Sequence, residues 1–394
     1  MAPEKGATQA LVLATVAFSL SFAIWGLISA LVPRFRDIYR LSPVEASVLI
    51  AIPVLLGSLG RIPMGVLADR FGGRIVFSLL LIFCGAASMG ASLSRSYTTL
   101  LTWALLIGCA GTSFAVGVAF VSKWFDAKHQ GVVLGIYGVG NIGQSIAMYA
   151  APALAVASGD WRLPFWTFGT AAAVFGLFFL LYAHNAPAKA HPKRIAESLV
   201  IFWHEPLAWV LSLFYFLTFG GFVALSIYLP TLLGDIFRLS LTDAGARVAG
   251  FVVIATLMRP LGGWLSDRYG GARVLAVVFP LAALTALGLV STGMVIFTAG
   301  ALGTAALLGT GNGAVFKLVP DCFPRETGTV TGLVGAAGGL GGFFPPLLLG
   351  VIRNNTGGYS LGFVLLSCFA LICLAADYFA FLRDRAGVTS TDGS

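Results

Sequence analysis

An all-α integral membrane fold, with twelve transmembrane helices in two pseudo-symmetric six-helix bundles, is what this 394-residue sequence predicts. Three observations lead there. Only 10% of the residues are charged and 58% are hydrophobic, whereas a soluble domain is about 25% charged. Apolar runs of membrane-spanning length recur along the whole chain. The segment that ends the second run also returns at the end of the eighth, with seven of its thirteen letters identical.

A helix needs about 20 apolar residues to cross a hydrocarbon layer of roughly 30 Å. Breaks at charges, Gly and Pro divide the chain into runs near 10–33, 44–68, 74–94, 98–124, 130–157, 163–184, 205–233, 245–266, 273–294, 296–318, 327–352 and 359–382. The first run continues for a full span, longer than the apolar core of a cleavable leader. Twelve spans use up this length and leave no room for a sizeable soluble domain. The longest polar connection, 185–204, carries Pro187, Lys189, His191, Pro192, Lys193 and Arg194. It reads as a cytoplasmic linker between an N-terminal bundle at 1–184 and a C-terminal bundle at 205–394.

Glycine is abundant, with 49 residues, as helices that associate by close backbone approach in lipid require. The net charge of +8 forms no Lys/Arg cluster that would suit nucleic acid, so it is better read through topology. With both termini in the cytoplasm, fourteen Lys and Arg residues fall on the cytoplasmic side and eight on the other, an excess that supports this orientation. Arg34, Arg36 and Arg40, together in the first external loop, argue mildly against it. The five cysteines (Cys84, Cys109, Cys322, Cys368, Cys373) lack metal-ligand spacing and read as buried thiols. The four histidines (His129, His184, His191, His204) lie in loops or at span ends. No metal site, cofactor site or hydrolytic triad is suggested, and the chain is expected not to be an enzyme.

The repeat locates the chemistry. Residues 61–73 read RIPMGVLADRFGG and residues 259–271 read RPLGGWLSDRYGG, while GVVLGIYG at 131–138 answers GTVTGLVG at 328–335. Duplicated halves place matching positions at equal depth, and binding sites of such carriers lie near the bilayer midplane. Arg61 and Arg259 each stand eight residues before a loop aspartate, Asp69 and Asp267, which is about 12 Å into the membrane at about 1.5 Å per residue. An arginine at that depth should face the interior and have a partner. Every acidic residue falls in a loop or at a span end, with Asp377 nearest to an exception. Each guanidinium could bond carbonyls at kinks near Pro63 and Pro260, or a substrate anion could be the missing counter-charge. Two guanidinium groups about 8 Å apart would repel by roughly 2 kcal/mol at an effective dielectric near 20. A bound monoanion offers both a charge to grip, and the planar fork suits a planar oxyanion.

The glycine-rich stretches GVVLGIYGVGNIG at 131–143 and GTVTGLVGAAGGLGG at 328–342 form a second constellation, holding Gly135, Gly138, Gly140, Gly143, Gly335, Gly338, Gly339, Gly341 and Gly342. They could press helices together or bring backbone close to a small ligand. GVGNIG at 138–143 also fits a dinucleotide fingerprint, but it follows no strand and lies inside an apolar run. Asn312, in the GTGNG stretch of the tenth run, is polar within the membrane. Ligand contact and helix-to-helix hydrogen bonding are both open for it.

The D-R-[FY]-G-G loop and the twofold six-helix plan resemble the major facilitator superfamily. One arginine in the second and eighth helices, with glycine-rich signatures in the fifth and eleventh, resembles its nitrate/nitrite porter family more narrowly. FAVGVAFVSKWFDAKHQG at 114–131 and SLFYFLTFGGF at 212–222 extend the likeness. By motif position the resemblance implies that Arg61 and Arg259 grip the anion and that Phe114 and Phe219 sandwich it. Tyr215 and Asn141 would complete the polar contacts. Where the first signature has Asn141, the second has only glycines, so the halves need not hold the anion alike. The resemblance further implies a secondary transporter of nitrate and nitrite in a bacterial inner membrane, expected to be a monomer whose partners are the anion and the lipid bilayer. The lack of intramembrane carboxylates favours nitrate/nitrite exchange, although family members also move nitrate with protons. A carrier of formate or oxalate, or a nitrate sensor that does not transport, are the rivals.

Overall fold

The computed structural model describes residues 6–125, 130–186, 205–323 and 327–383. Nearly all of the predicted linker, and with it His129 and His204, lies outside the described residues. The described chain is helical throughout. By contacts it forms two compact units, Met1–Lys193 with Leu225–Thr256, and Arg194–Ala224 with Leu257–Ser394.

The first unit begins with α1 (Ala7–Tyr39), α2 (Pro43–Leu59), α3 (Arg61–Phe71) and α4 (Gly73–Ser92). A capping box starts α2, with Ser42 and Glu45 satisfying each other's backbone N–H groups. Between α2 and α3 the chain bends by 42° at Gly60. There follow α5 (Tyr97–Ile107), a 3-10 stretch Gly108–Thr112, α6 (Ser113–Val121), α7 (Gln130–Gly138), a 3-10 turn Val139–Asn141, α8 (Ile142–Ser158) and α9 (Leu163–Tyr182). The α4 and α9 helices close tightly because Gly85 and Gly169 face each other, and a Cβ on either would meet the other's carbonyl. Residues 225–256 join this unit through side chains. Arg36 pairs with Asp235, the Ser47 hydroxyl bonds that of Tyr228 at 2.9 Å, and Gln144 donates to Ser226 at 2.9 Å.

The remaining helices are α10 (Pro206–Tyr215), a π-helical turn Phe216–Gly220, α11 (Gly221–Phe237), α12 (Leu241–Tyr269), α13 (Gly271–Gly288), α14 (Met294–Cys322), α15 (Thr327–Thr356) and α16 (Ser360–Asp377), which runs into a second π turn, Tyr378–Leu382. In the second unit α13 packs on α14 through Gly288 and Gly300, and Ser367 of α16 donates to the Ala283 carbonyl at 2.9 Å.

Ten of the described helices are long and apolar enough to cross a membrane, or eleven if the bent α2–α3 pair is one span. Residues 130–158 are helical too, but the 3-10 turn at Val139–Asn141 divides them, so the predicted twelve spans are not reproduced one for one. Large apolar side chains face outward in numbers no water-soluble protein shows, among them Leu79, Val295 and Phe379. The same geometry corrects the cysteine reading. Cys84 and Cys373 are buried, Cys109 and Cys322 partly so, and Cys368 is exposed, because a helix in lipid hides only one face. All five are free thiols.

The repeated loops fold alike in each unit. Gly72 (φ 84°) and Gly270 (φ 88°) both turn the chain in a region that only glycine adopts readily. The preceding aspartates are paired in the same way, Asp69 with Lys123 at 2.7 Å and Asp267 with Lys317 at 3.4 Å.

Candidate functional site

Arg61 opens α3 immediately after the bend at Gly60. A Cβ at Gly60 would crowd the Thr112 methyl, so the glycine lets this corner close on the 3-10 stretch Gly108–Thr112. From there Arg61 reaches the Gly111 carbonyl with Nε at 3.4 Å, and its guanidinium lies 5.8 Å from the centre of the Phe114 ring. The carbonyl alternative is thus realised in part, through a neighbouring helix and not through a kink at Pro63. Phe114 belongs to an aromatic cluster with Phe18 and Tyr137, at 5.8 and 6.1 Å between ring centres. The Tyr137 hydroxyl donates to the Ser113 carbonyl at 2.8 Å. Asn141 ends the 3-10 turn, 1% exposed, with Nδ2 turned back to the Gly138 carbonyl at 3.0 Å and Oδ1 without a partner among the described residues.

Arg259 sits inside the unbroken helix α12, next to Pro260. Its guanidinium lies over two rings, Phe219 at 5.4 Å and Phe222 at 5.2 Å. Nε and Nη2 are buried and make no hydrogen bond among the described residues. The Tyr215 and Phe219 rings stack at 5.0 Å, nearly parallel. Tyr215 precedes the π turn and Phe219 lies within it, a widening of the helix that recurs at functional sites. A Cβ at Gly338 would collide with the Tyr215 ring, and one at Gly341 with the backbone of Phe216 and Gly220. These two signature glycines therefore let α15 lie against the π turn.

The first signature is used similarly only in its later part. A Cβ at Gly140 would enter the Phe18 ring and one at Gly143 would strike the Ser19 backbone, whereas Gly135, Gly138 and Gly335 face open space. Gly339 and Gly342 are buried in α15.

Within the first unit the structure gathers Arg61 and Phe114, and within the second Arg259, Phe219 and Tyr215 with Gly338 beside them. Several neighbours escaped the sequence reading. Phe222 was legible in principle, since Tyr215, Phe219 and Phe222 recur at helical spacing on one face. Gln144, fully buried with Oε1 unpartnered among the described residues, follows the first signature directly. The Gly111 carbonyl left no signal at all. Asp377 lies near the end of the span Ser360–Leu382, as the sequence reading placed it, but it is fully buried and both carboxylate oxygens lack a partner among the described residues.

The helix order and the paired aspartate turns define a membrane carrier of a known class. The profile of the Major Facilitator Superfamily matches residues 13–320. A solved structure of a bacterial homolog of the human lysosomal transporter Spinster, inward-facing and occupied, superposes with a TM-score of 0.74 at 20% identity, over 96% of this chain and 98% of that one. Curated relatives include the "Nitrite extrusion protein" of Bacillus subtilis, 40% identical over 92% of each chain. A "Probable nitrate transporter NarT" of Staphylococcus epidermidis is 37% identical over 94% of this chain and 95% of its own. The "Probable nitrate/nitrite antiporter NarK1" of Thermus thermophilus is 35% identical over 94% and 90%. The chain belongs to the major facilitator superfamily and, within it, to the nitrate/nitrite porter family.

Proposed function

We propose that this chain is a secondary active transporter that moves nitrate and nitrite by alternating access, by exchange of one for the other. The observation that carries the reading is Arg259, a permanent cation with two buried nitrogens that donate to nothing among the described residues and with aromatic faces beside it. Burying such a charge unpaired costs several kcal/mol after relaxation, a penalty that a bound anion offsets. Nitrate and nitrite are small, planar and singly charged, which suits a guanidinium fork framed by flat rings. The printed names of the relatives agree with this substrate class.

In this reading Arg61 and Arg259 both contact the anion, Phe114 and Phe219 bound its faces, and Tyr215 and Asn141 supply polar contacts. Of the signature glycines, Gly140, Gly143, Gly338 and Gly341 admit the close helix approaches that shape these positions. The moving bodies are the two sequence halves, 1–184 and 205–394. The protein works as a monomer in the inner membrane with both termini in the cytoplasm.

Uptake of labelled nitrate into proteoliposomes tests the reading. Uptake should require internal nitrite or nitrate, and formate and oxalate should not compete. Nitrate affinity left intact in folded Arg259→Lys would reject the role of the arginine. Proton-coupled uptake is the second reading, favoured by the buried carboxyl of Asp377. An imposed pH gradient that drives uptake without internal anion would replace exchange by symport.

A further inference from the structure

We propose that Asn312 is a further anion ligand in the second unit and the residue that distinguishes three-oxygen from two-oxygen anions, an inference that rests on the nitrate/nitrite reading above. Asn312 lies in the middle of α14, 1% exposed, and neither Nδ2 nor Oδ1 has a hydrogen-bond partner among the described residues. Buried amides nearly always find partners. A membrane span offers no water to supply one, so polar groups left there mark substrate paths.

The helix geometry says which way the amide faces. At about 100° per residue, positions four apart lie within ~40° of each other around a helix, so Leu308 and Phe316 share the face of Asn312. The Phe316 ring meets Tyr215 edge-on at 4.8 Å, and Leu308 lies 3.3 Å from where a Cβ of Gly221 would stand. That face of α14 is therefore turned toward the Tyr215–Phe219 stack, over which Arg259 lies. The two residues beside Asn312 tighten the arrangement. A Cβ at Gly311 would come within 2.6 Å of the Thr218 methyl, and one at Gly313 would strike the Arg259 carbonyl. Glycine at both positions lets α14 close on the π turn and on α12 at the level of the arginine. Thr218 Oγ1 is buried there without a partner as well.

Buried donors are thus concentrated in one part of the second unit: two guanidinium nitrogens, an amide and a hydroxyl. A guanidinium fork binds two oxygens of an oxyanion. Nitrate has a third oxygen and nitrite does not. The Asn312 Nδ2–H donates to that third oxygen, so the amide favours nitrate over nitrite.

Exchange by the purified protein in proteoliposomes tests this, with KM measured separately for each anion. In Asn312→Ala the nitrate KM should rise about tenfold while the nitrite KM changes by less than about twofold, the loss expected for one hydrogen bond to a charged group. Asn312→Ser, which keeps a shorter donor, should fall between. The apparent Tm without anion should not drop in Asn312→Ala, because the amide has no partner among the described residues to lose, whereas the upward shift caused by nitrate should shrink. Equal changes for both anions, no change for either, or a Tm loss without anion would overturn the proposal. Transport of neither anion by the unaltered protein would instead overturn the functional reading, and this inference with it.

Discussion

Arg61 and Arg259 occupy matching places in a sequence repeat, yet the helices that carry them are built differently. The first copy has Gly60 ahead of its arginine and breaks by 42°, so that Arg61 starts a helix and reaches the Gly111 carbonyl of a 3-10 stretch. The second copy has Met258 at that position and runs unbroken from Leu241 to Tyr269. Arg259 projects from an intact helix, over Phe219 and Phe222, with Nε and Nη2 buried and unbonded among the described residues. One half holds its cation partly by backbone, and the other sets its cation against aromatic faces. Duplication preserves where a charge is placed; local backbone decides how it is satisfied.

Substitution to lysine tests that comparison with the largest expected effect. Arg61→Lys and Arg259→Lys each replace a two-pronged donor by a point charge, and nitrate affinity should fall roughly 100-fold in both, about the worth of a charged hydrogen bond. Proteoliposome exchange measures it. A loss confined to Arg259→Lys would mean that the backbone-anchored arginine is structural only.

Stability without anion separates the two sites more sharply. Arg259→Leu removes an uncompensated buried charge and should stabilise by about 1–4 kcal/mol. Arg61→Leu discards its bond to Gly111 and should destabilise by about 1 kcal/mol. Thermal unfolding in detergent, with no nitrate present, reads both. Shifts of the same sign would erase the distinction between the halves.

The glycine signatures extend the contrast. Gly338→Ala drives a methyl into the Tyr215 ring and should cost about 1–3 kcal/mol as overpacking, with loss of exchange. Gly138→Ala faces open space and should gain up to about 1 kcal/mol of helix propensity. The smallest effect is expected at the ion pair that ties residue 235 into the first unit. Arg36→Ala should cost about 1 kcal/mol or less, and less again at high salt, because both side chains are only partly buried.

The membrane class was legible because lipid imposes one simple requirement, long apolar helices, and composition records it. The two arginines were legible for a related reason: a charge at that depth is costly, so its repetition at the same place in both halves points to use. Cys368 was misread because an apolar run does not say which of its faces meets lipid. The burial of Asp377 left no signal in the sequence, since a residue near the end of a run can still be enclosed by its neighbours.

By itself the sequence determined the membrane fold, the duplication, the matching places of Arg61 and Arg259 within it and the family to which the chain belongs. These follow from apolar run length and from identical letters, which are local properties. Only the tertiary structure decided that Arg61 is tied to Gly111 while Arg259 is not, that Phe222 joins Phe219 under the guanidinium, and that Asn312 is buried with no partner among the described residues. Those outcomes depend on contacts between helices distant in the chain, where a missing Cβ or an added residue in a turn changes which groups meet.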